Sequence, residues 1–308
     1  MELKNILVNK YMNLRNIFTV ISIIVLASGC QTTGPETASV VLEPVSSEPE
    51  VVLQHTPKPA VQKLAPPADL WERIRRELSW QDLHNAQIGK ARDRLLAQHD
   101  YLPVVAARAD YYLYYIVEEV QRRGMPMEIA LLPLVESTLD PFATSSERAA
   151  GLWQIMPATG RHLGLELGWW YDGRRDVRDS TRMALDYLEA LHELFDRDWL
   201  LALAAYNSGK GRVARARKAN REKGLPTDYW SLKLPRETRN YVPKLIALTQ
   251  VIAYPQAFEL EIPTVPNTPA FEVADTGGQL EMARAAQLAG VDMSTLRALS
   301  PGQLRWAT

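Results

Sequence analysis

From Asp69 to Ala253 the apolar residues recur three or four positions apart and nowhere alternate with polar ones over a strand's length. That period restricts the region to helices with loops between them. "DLWERIRREL" sets Leu70, Trp71, Ile74 and Leu78 on one face, and "RADYYLYYIVEEVQRRG" does the same with Tyr112, Leu113, Ile116, Val117 and Val120 before Gly124 stops it. Pro126 suits the first position of the next helix, which runs toward Ser137. "DSTRMALDYLEALHELF" spaces Met183, Leu185, Leu188, Leu191 and either Leu194 or Phe195 for burial. "DWLLALAAYNSG" is a short apolar helix closed by Asn207, Ser208 and Gly209, and "ETRNYVPKLIALTQVIA" is another with Pro243 near its start. The expected fold class is all-α, mostly helical, with loops at 138–150 and 164–180.

The flanks read differently. In residues 1–30, "MNLRNIFTVISIIVLASGC" has a basic start at Arg15 and an apolar core from Ile17 to Ala27, too short for a comfortable membrane span and suited to a secretory signal. Met12 is an alternative start. The segment closes on Cys30, the only cysteine of the 308 residues, which excludes an intrachain disulfide framework. "Ala27-Ser28-Gly29-Cys30" resembles a bacterial lipobox, in which the cysteine becomes the lipidated N-terminus. Gln31 after it resembles the pattern sorted to the outer membrane of Gram-negative bacteria. Residues 31–67, rich in Pro, Ser, Thr and Glu, read as a solvated tether that could reach about 100 Å if fully extended, at roughly 3 Å per residue. The helical part divides into an N-terminal region, 68–123, and a catalytic domain, 124–258. Residues 259–308 include the linker-like "IPTVPNTP" and, after it, two short helical patterns, 279–289 and 293–299, that resemble the helical middle of a LysM motif, without a clear closing strand. The balance of 35 basic and 36 acidic residues gives no overall attraction to nucleic acid.

"LLPLVESTLDP", residues 131–141, carries the chemistry. On a helix Glu136 shares its stripe with Ile129, Leu132, Pro133 and Leu139. A carboxyl among apolar groups tends to keep its proton toward neutral pH, as a general acid for glycoside cleavage requires. Pro133 inside the helix should bend it and free a carbonyl just before Glu136. Three further stretches join it: "AAGLWQIMPATG" with Trp153 and Gln154, "AAYNSG" with Tyr206 and Asn207, and "ETRNYVPK" with Tyr241.

In this order, Glu-Ser, Gly-Leu-Trp-Gln, Ala-Tyr-Asn-Ser-Gly and Glu-Thr-x-x-x-Tyr resemble the motifs of family 1 lytic transglycosylases, from about Trp71 to Leu260. The resemblance implies a lysozyme-like, goose-type catalytic domain with an N-terminal helical extension, acting on the glycan strands of peptidoglycan without metal or cofactor. It implies Glu136 as single acid and base, and Ser137 bonded near it or to substrate. Gln154 would touch the sugar's N-acetyl region and Trp153 would form a wall. Tyr206 and Tyr241 would hold the carboxylate, with Asn207 lining the cleft. The implied place is the periplasmic face of the outer membrane, through lipid on Cys30.

Two other readings compete. A hydrolase would use Asp140 as second carboxylate, but Pro141 pushes that residue out of helical geometry and toward a turn or cap. A noncatalytic peptidoglycan-binding lipoprotein would not need Glu136, Gln154, Tyr206 and Tyr241 together. "WWYDGRR" offers Trp169 and Trp170 either for stacking on sugar rings or for packing. Asp172, Arg174, Arg175 and Asp176 suggest a structural ion-pair cluster. "RVARARKANREK", 212–223, reads as a solvated helix face without the aromatic interleaving of a nucleic-acid binder.

Overall fold

The computed structural model describes residues 66–308 together with the backbone of residues 5–9. Eleven α-helices occur among these residues: α1 Leu70–Arg75, α2 Ala86–Leu96, α3 Tyr101–Arg122, α4 Leu132–Ser137, α5 Pro157–His162, α6 Val177–Leu194, α7 Trp199–Ser208, α8 Lys210–Arg221, α9 Arg236–Ala253, α10 Met282–Ala289 and α11 Met293–Leu299. The all-helical expectation for 69–255 holds, since this stretch has only isolated bridges such as Thr144↔Ala150, Ala150↔Ile155 and Leu167↔Asp172. Short polar side chains start the helices. Asp69, Asn85, Asp176 and Asp198 accept the free amide N–H groups at the beginnings of α1, α2, α6 and α7.

The apolar stripes read from the sequence face inward. Leu70, Trp71 and Ile74 of α1 and Leu113, Ile116, Val117 and Val120 of α3 have no accessible surface. Phe195 is buried while Leu194 is half exposed, which decides between the two for the end of α6. Helix α9 is the hub, packing against α1, α2, α4 and α7, and its residues Leu245–Ile252 are all buried. A helical stretch buried on every side, as Leu245–Ile252 is, must lie inside other helices. The regions expected as 68–123 and 124–258 therefore share one hydrophobic core, which runs from Leu70 to Leu299. A side chain the sequence reading passed over ties them together. Glu128, fully buried, accepts the amide N–H groups of Ser79 and Trp80 at 2.6 and 2.7 Å.

Two details differ from expectation. Pro126 does not open an α-helix. It precedes a 3-10 turn, Met127–Leu131, and α4 follows only from Leu132. The C-terminal segment is also more than two helices. Strand β2, Phe271–Asp275, precedes them and pairs antiparallel with β1, Asn5–Asn9. After α11 the chain returns to bridge Glu281 with Ala307, closing the segment that seemed from sequence to lack a final strand. Strand β1 lies inside the segment read as a signal, upstream of its apolar run. Cys30, that apolar run and the tether expected over 31–67 fall outside the described residues, except the last two tether positions. Among the described residues no helix is long and apolar enough to cross a membrane.

Replacing Glu128 by leucine removes the acceptor of two amide N–H groups and is expected to cost about 1–3 kcal/mol of stability. Glu128→Gln keeps one acceptor oxygen and should cost less. Equal urea midpoints for wild type and Glu128→Leu would show that the clasp contributes nothing.

Candidate active site

Glu136 sits in the last turn of α4, and that short helix is shaped from both ends. Pro133 lies in its first turn, where the missing N–H breaks no ladder bond. The expected bend inside one longer helix is instead a junction between two elements, the 3-10 turn and α4. The carbonyl of Ile129 accepts the N–H of Leu132 across it. At the other end Thr138 and Leu139 both adopt left-handed backbone, with φ of 56° and 55°. Such residues without glycine are uncommon and strained. They stop the helix one residue past the glutamate and turn the chain away.

That turn removes Asp140 from the face of Glu136. Its Oδ1 accepts the N–H of Phe142 at 2.8 Å, a turn bond, and its Oδ2 pairs with Arg108 at 3.3 Å. The reading of Asp140 as a turn residue is borne out.

Tyr241 of α9 donates its hydroxyl to Glu136 Oε1. Lys244, one turn further along α9, donates from Nζ to the carbonyl of Val135 at 2.9 Å. Burial raises the Glu136 carboxyl from 4.5 to about 7, against the lowering effects of the Tyr241 hydrogen bond and the Lys244 charge. The residue keeps some accessible surface while its carboxyl is enclosed. Lys244 was missed in the sequence. Its signal was the spacing of three from Tyr241, which puts both on one helix face.

The other expected residues meet around this pair in unequal ways. Tyr206, on the last turn of α7, does not hold the carboxylate directly. Its hydroxyl donates to the carbonyl of Trp153 at 2.8 Å. Its own ionisation is suppressed, first by burial and then by the nearby Glu136 charge. Trp153 is not a cleft wall. It has no accessible surface, and its Nε1 donates to Thr181 Oγ1 at 2.9 Å, so it anchors the loop from within the core. Ser137 Oγ is engaged with backbone, at 2.9 Å from the carbonyl of Leu152, and links α4 to that same loop. Gln154 is half-buried with a left-handed φ of 46°, and its Nε2 donates to the carbonyl of Gly151 at 2.9 Å. Asn207 is half-buried beside Tyr206 at the end of α7. Gly151 was overlooked. Its φ is 81°, and a Cβ there would lie 1.9 Å from the carbonyl oxygen of Arg174, so only glycine lets the loop pass.

The chain is similar to known proteins over the stretch that holds Glu136, Gln154 and Tyr206. A family model described as "Transglycosylase SLT domain" matches residues 114–227. Over 239 residues the chain is 44% identical to membrane-bound lytic murein transglycosylase D of Escherichia coli (strain K12), covering 78% of this chain and 53% of that one. It is 43% identical over 169 residues to a protein of Alteromonas sp. (strain M-1) named for tributyltin chloride resistance, covering 54% of this chain and 79% of that one. Residues 114–227 thus carry a transglycosylase SLT domain. The chain spans about half the length of the E. coli relative. Soluble lytic transglycosylase of E. coli, a solved structure, is 26% identical over 46% of this chain and 23% of that one, with a TM-score of 0.34.

For a lytic transglycosylase domain the matched range is informative in what it omits. Glu136, Gln154 and Tyr206 lie within 114–227, whereas Tyr241 and Lys244 come from α9 beyond it. The acid and the group that holds it are thus supplied by segments 105 residues apart.

Two measurements check the electrostatics. Tyr241→Phe removes a hydrogen bond that favours the carboxylate, so the Glu136 pKa should move upward in a carbon-detected NMR titration. The folded state holds this proton more tightly than the unfolded chain, because the folded pKa is the higher one. Ionising Glu136 therefore costs stability as pH rises from 4.5 through about 7. Glu136→Gln should stabilise the domain by roughly 1–3 kcal/mol at pH 8, and the gain should vanish below pH 4.5. A gain independent of pH would mean the carboxyl is not strained by burial.

Proposed function

We propose that this chain is a peptidoglycan lytic transglycosylase that cuts the β-1,4 bond from N-acetylmuramic acid to N-acetylglucosamine without water. One observation carries the reading. Glu136 is an enclosed carboxyl with its pKa raised to about 7 and its orientation fixed by Tyr241; the carboxylate whose charge acts on it, Glu237, is exposed in the first turn of α9, and Asp140 is committed to a turn and to Arg108.

Glu136 first gives its proton to the glycosidic oxygen, and the bond from that oxygen to the muramic C1 breaks. The 2-acetamido carbonyl oxygen of the muramic residue bonds to C1 and stabilises it, replacing a second protein carboxylate. The Glu136 carboxylate then takes the proton of the same sugar's 6-hydroxyl. That oxygen attacks C1, displaces the acetamido oxygen and closes a 1,6-anhydro ring. Glu136 ends protonated, ready for the next strand. An acid titrating near 7 is suited to both transfers, since neither direction is far uphill at neutral pH. Tyr241 holds the carboxyl in both states, and Lys244 favours the charged one between the two steps. Gln154 and Asn207 remain the residues for sugar contact, each half-buried and next to a residue that supports the site.

The envelope is the setting. Lipid on Cys30 anchors the chain at the periplasmic face of the outer membrane, with 31–67 as the tether. The lipobox-like sequence and the membrane-bound relative support this.

Products from purified sacculi test the chemistry. The wild-type chain should release fragments ending in 1,6-anhydromuramic acid, and Glu136→Gln should lower the rate at least about a hundredfold. Reducing muramic ends from the wild type would replace this reading with hydrolysis. Undiminished release by Glu136→Gln would remove the glutamate from the mechanism.

A further inference from the structure

A cavity of about 580 Å³ lies where the C-terminal segment meets the 140–144 and 169–175 loops. Its size is that of a small-molecule or peptide site. Phe142 and Arg175 line it from the loops, and Arg297, Gln303, Arg305 and Trp306 line it from the C-terminal segment. Its lining includes arginines and no acidic side chain.

The cavity is held open by backbone rather than by mobile side chains. Asp172 N–H donates to the carbonyl of Gly302, and Leu304 N–H donates to that of Trp170, both at 2.9 Å. Trp170 and Trp306 meet edge to face with centroids 5.9 Å apart. Gly302 permits this closeness, since a Cβ there would come within 2.7 Å of the Tyr171 ring. These contacts give the tryptophan pair of "WWYDGRR" a packing role, yet Trp169 and Trp306 still expose 72% and 61% of their surface.

The polar groups of the cavity are unevenly committed. Arg175 is occupied, bonded to the carbonyl of Pro141 at 3.1 Å and Thr144 Oγ1 at 2.6 Å. Arg305 has its guanidinium stacked 3.7 Å over the ring of Trp169 and its Nε on the carbonyl of Trp169, which leaves both Nη groups without an acceptor among the described residues. Arg297 is exposed and has neither an ion pair nor a hydrogen bond from its side chain among the described residues. Gln303 Oε1 is buried and unpartnered, an acceptor facing no donor. Two uncommitted guanidinium groups suit carboxylates, which they can grip with paired hydrogen bonds. An unfilled amide oxygen suits a peptide N–H. Exposed flat rings suit an aliphatic or sugar face.

We propose that this cavity binds the carboxylate-bearing stem peptide that peptidoglycan carries on its muramic residues. The proposal rests on the reading of peptidoglycan as substrate. It adds a peptide subsite, built jointly by the transglycosylase domain and the C-terminal segment. One backbone group links the cavity to Gln154. The carbonyl of Ala143 accepts from both Arg175 and Gln154, at 3.5 and 3.4 Å. A peptide seated against Phe142 and Arg175 would therefore steady the loop that carries Gln154's partner.

The test is isothermal titration of the full chain with a purified, glycan-free stem tetrapeptide, and with the same peptide after its carboxyls are amidated. Wild-type protein should bind the free acid and not the amide. Arg297→Glu, a change at an exposed position that leaves the core intact, should weaken binding at least about tenfold. Trp306→Ala should weaken it less. No binding by wild type, equal binding of the amide, or undiminished binding by Arg297→Glu would each overturn the subsite. The peptide contains no glycosidic bond, so those failures leave the chemistry of Glu136 untouched. Absence of anhydro ends from sacculi would strike that chemistry and leave the peptide result standing.

Discussion

The hydrogen bond from Tyr241 to Glu136 joins the last turn of α4 to α9, and much of the rest exists to keep both ends of it in place. A carboxyl poised near neutrality must lie among packed neighbours and still be reached by substrate. A short helix at the edge of a core meets both needs, provided a second element fixes the side chain's direction. Helix α9 can do this because its residues Leu245–Ile252 are packed on every side and anchor it in the core. Its interior proline, Pro243, lies between Tyr241 and Lys244, the two residues that face α4.

The loop from Leu139 to Met156 depends on the same arrangement. It leaves α4 through two left-handed residues, is tied by Asp140 to Arg108, and returns so that Ser137 can meet Leu152. Trp153 fills the core beneath it, and Tyr206 clasps its backbone from α7. Of the residues that look like substrate contacts in the sequence, Trp153, Ser137 and Tyr206 hold the loop. Each makes a bond to core or backbone that a substrate would have to displace.

The helices were legible because burying an apolar stripe requires a 3.6-residue period, and that period is written in α1, α3, α6 and α9 without outside help. Their starts were legible too, since short acidic and amide side chains satisfy free N–H groups locally. Glu136 stood out for the same local reason, a charge on an apolar stripe. The proline was misread. Pro133 appears interior only if one continuous helix is assumed, and the 3-10 turn before it depends on how Met127–Leu131 pack, with Glu128 drawn to Ser79 and Trp80. Nothing near Glu128 in the chain announces a partner 48 residues away. The strand at β2 and the bridge at Ala307 were missed because both are made by pairing with distant segments.

By itself, then, the sequence determined the helical class, the place of Glu136 on an apolar stripe and the demotion of Asp140, because each follows from spacing along one segment or from a proline's effect on its neighbour. Only the tertiary structure decided which tyrosine holds the acid, that Lys244 belongs beside it, that Trp153 is core, and that the C-terminal segment and the 140–144 loop enclose a cavity. The physical reason is the same in each case. Hydrogen-bond direction and burial are properties of pairs, and here the pairs are drawn from α4, α7, α9 and the chain's end, which meet only when the core closes.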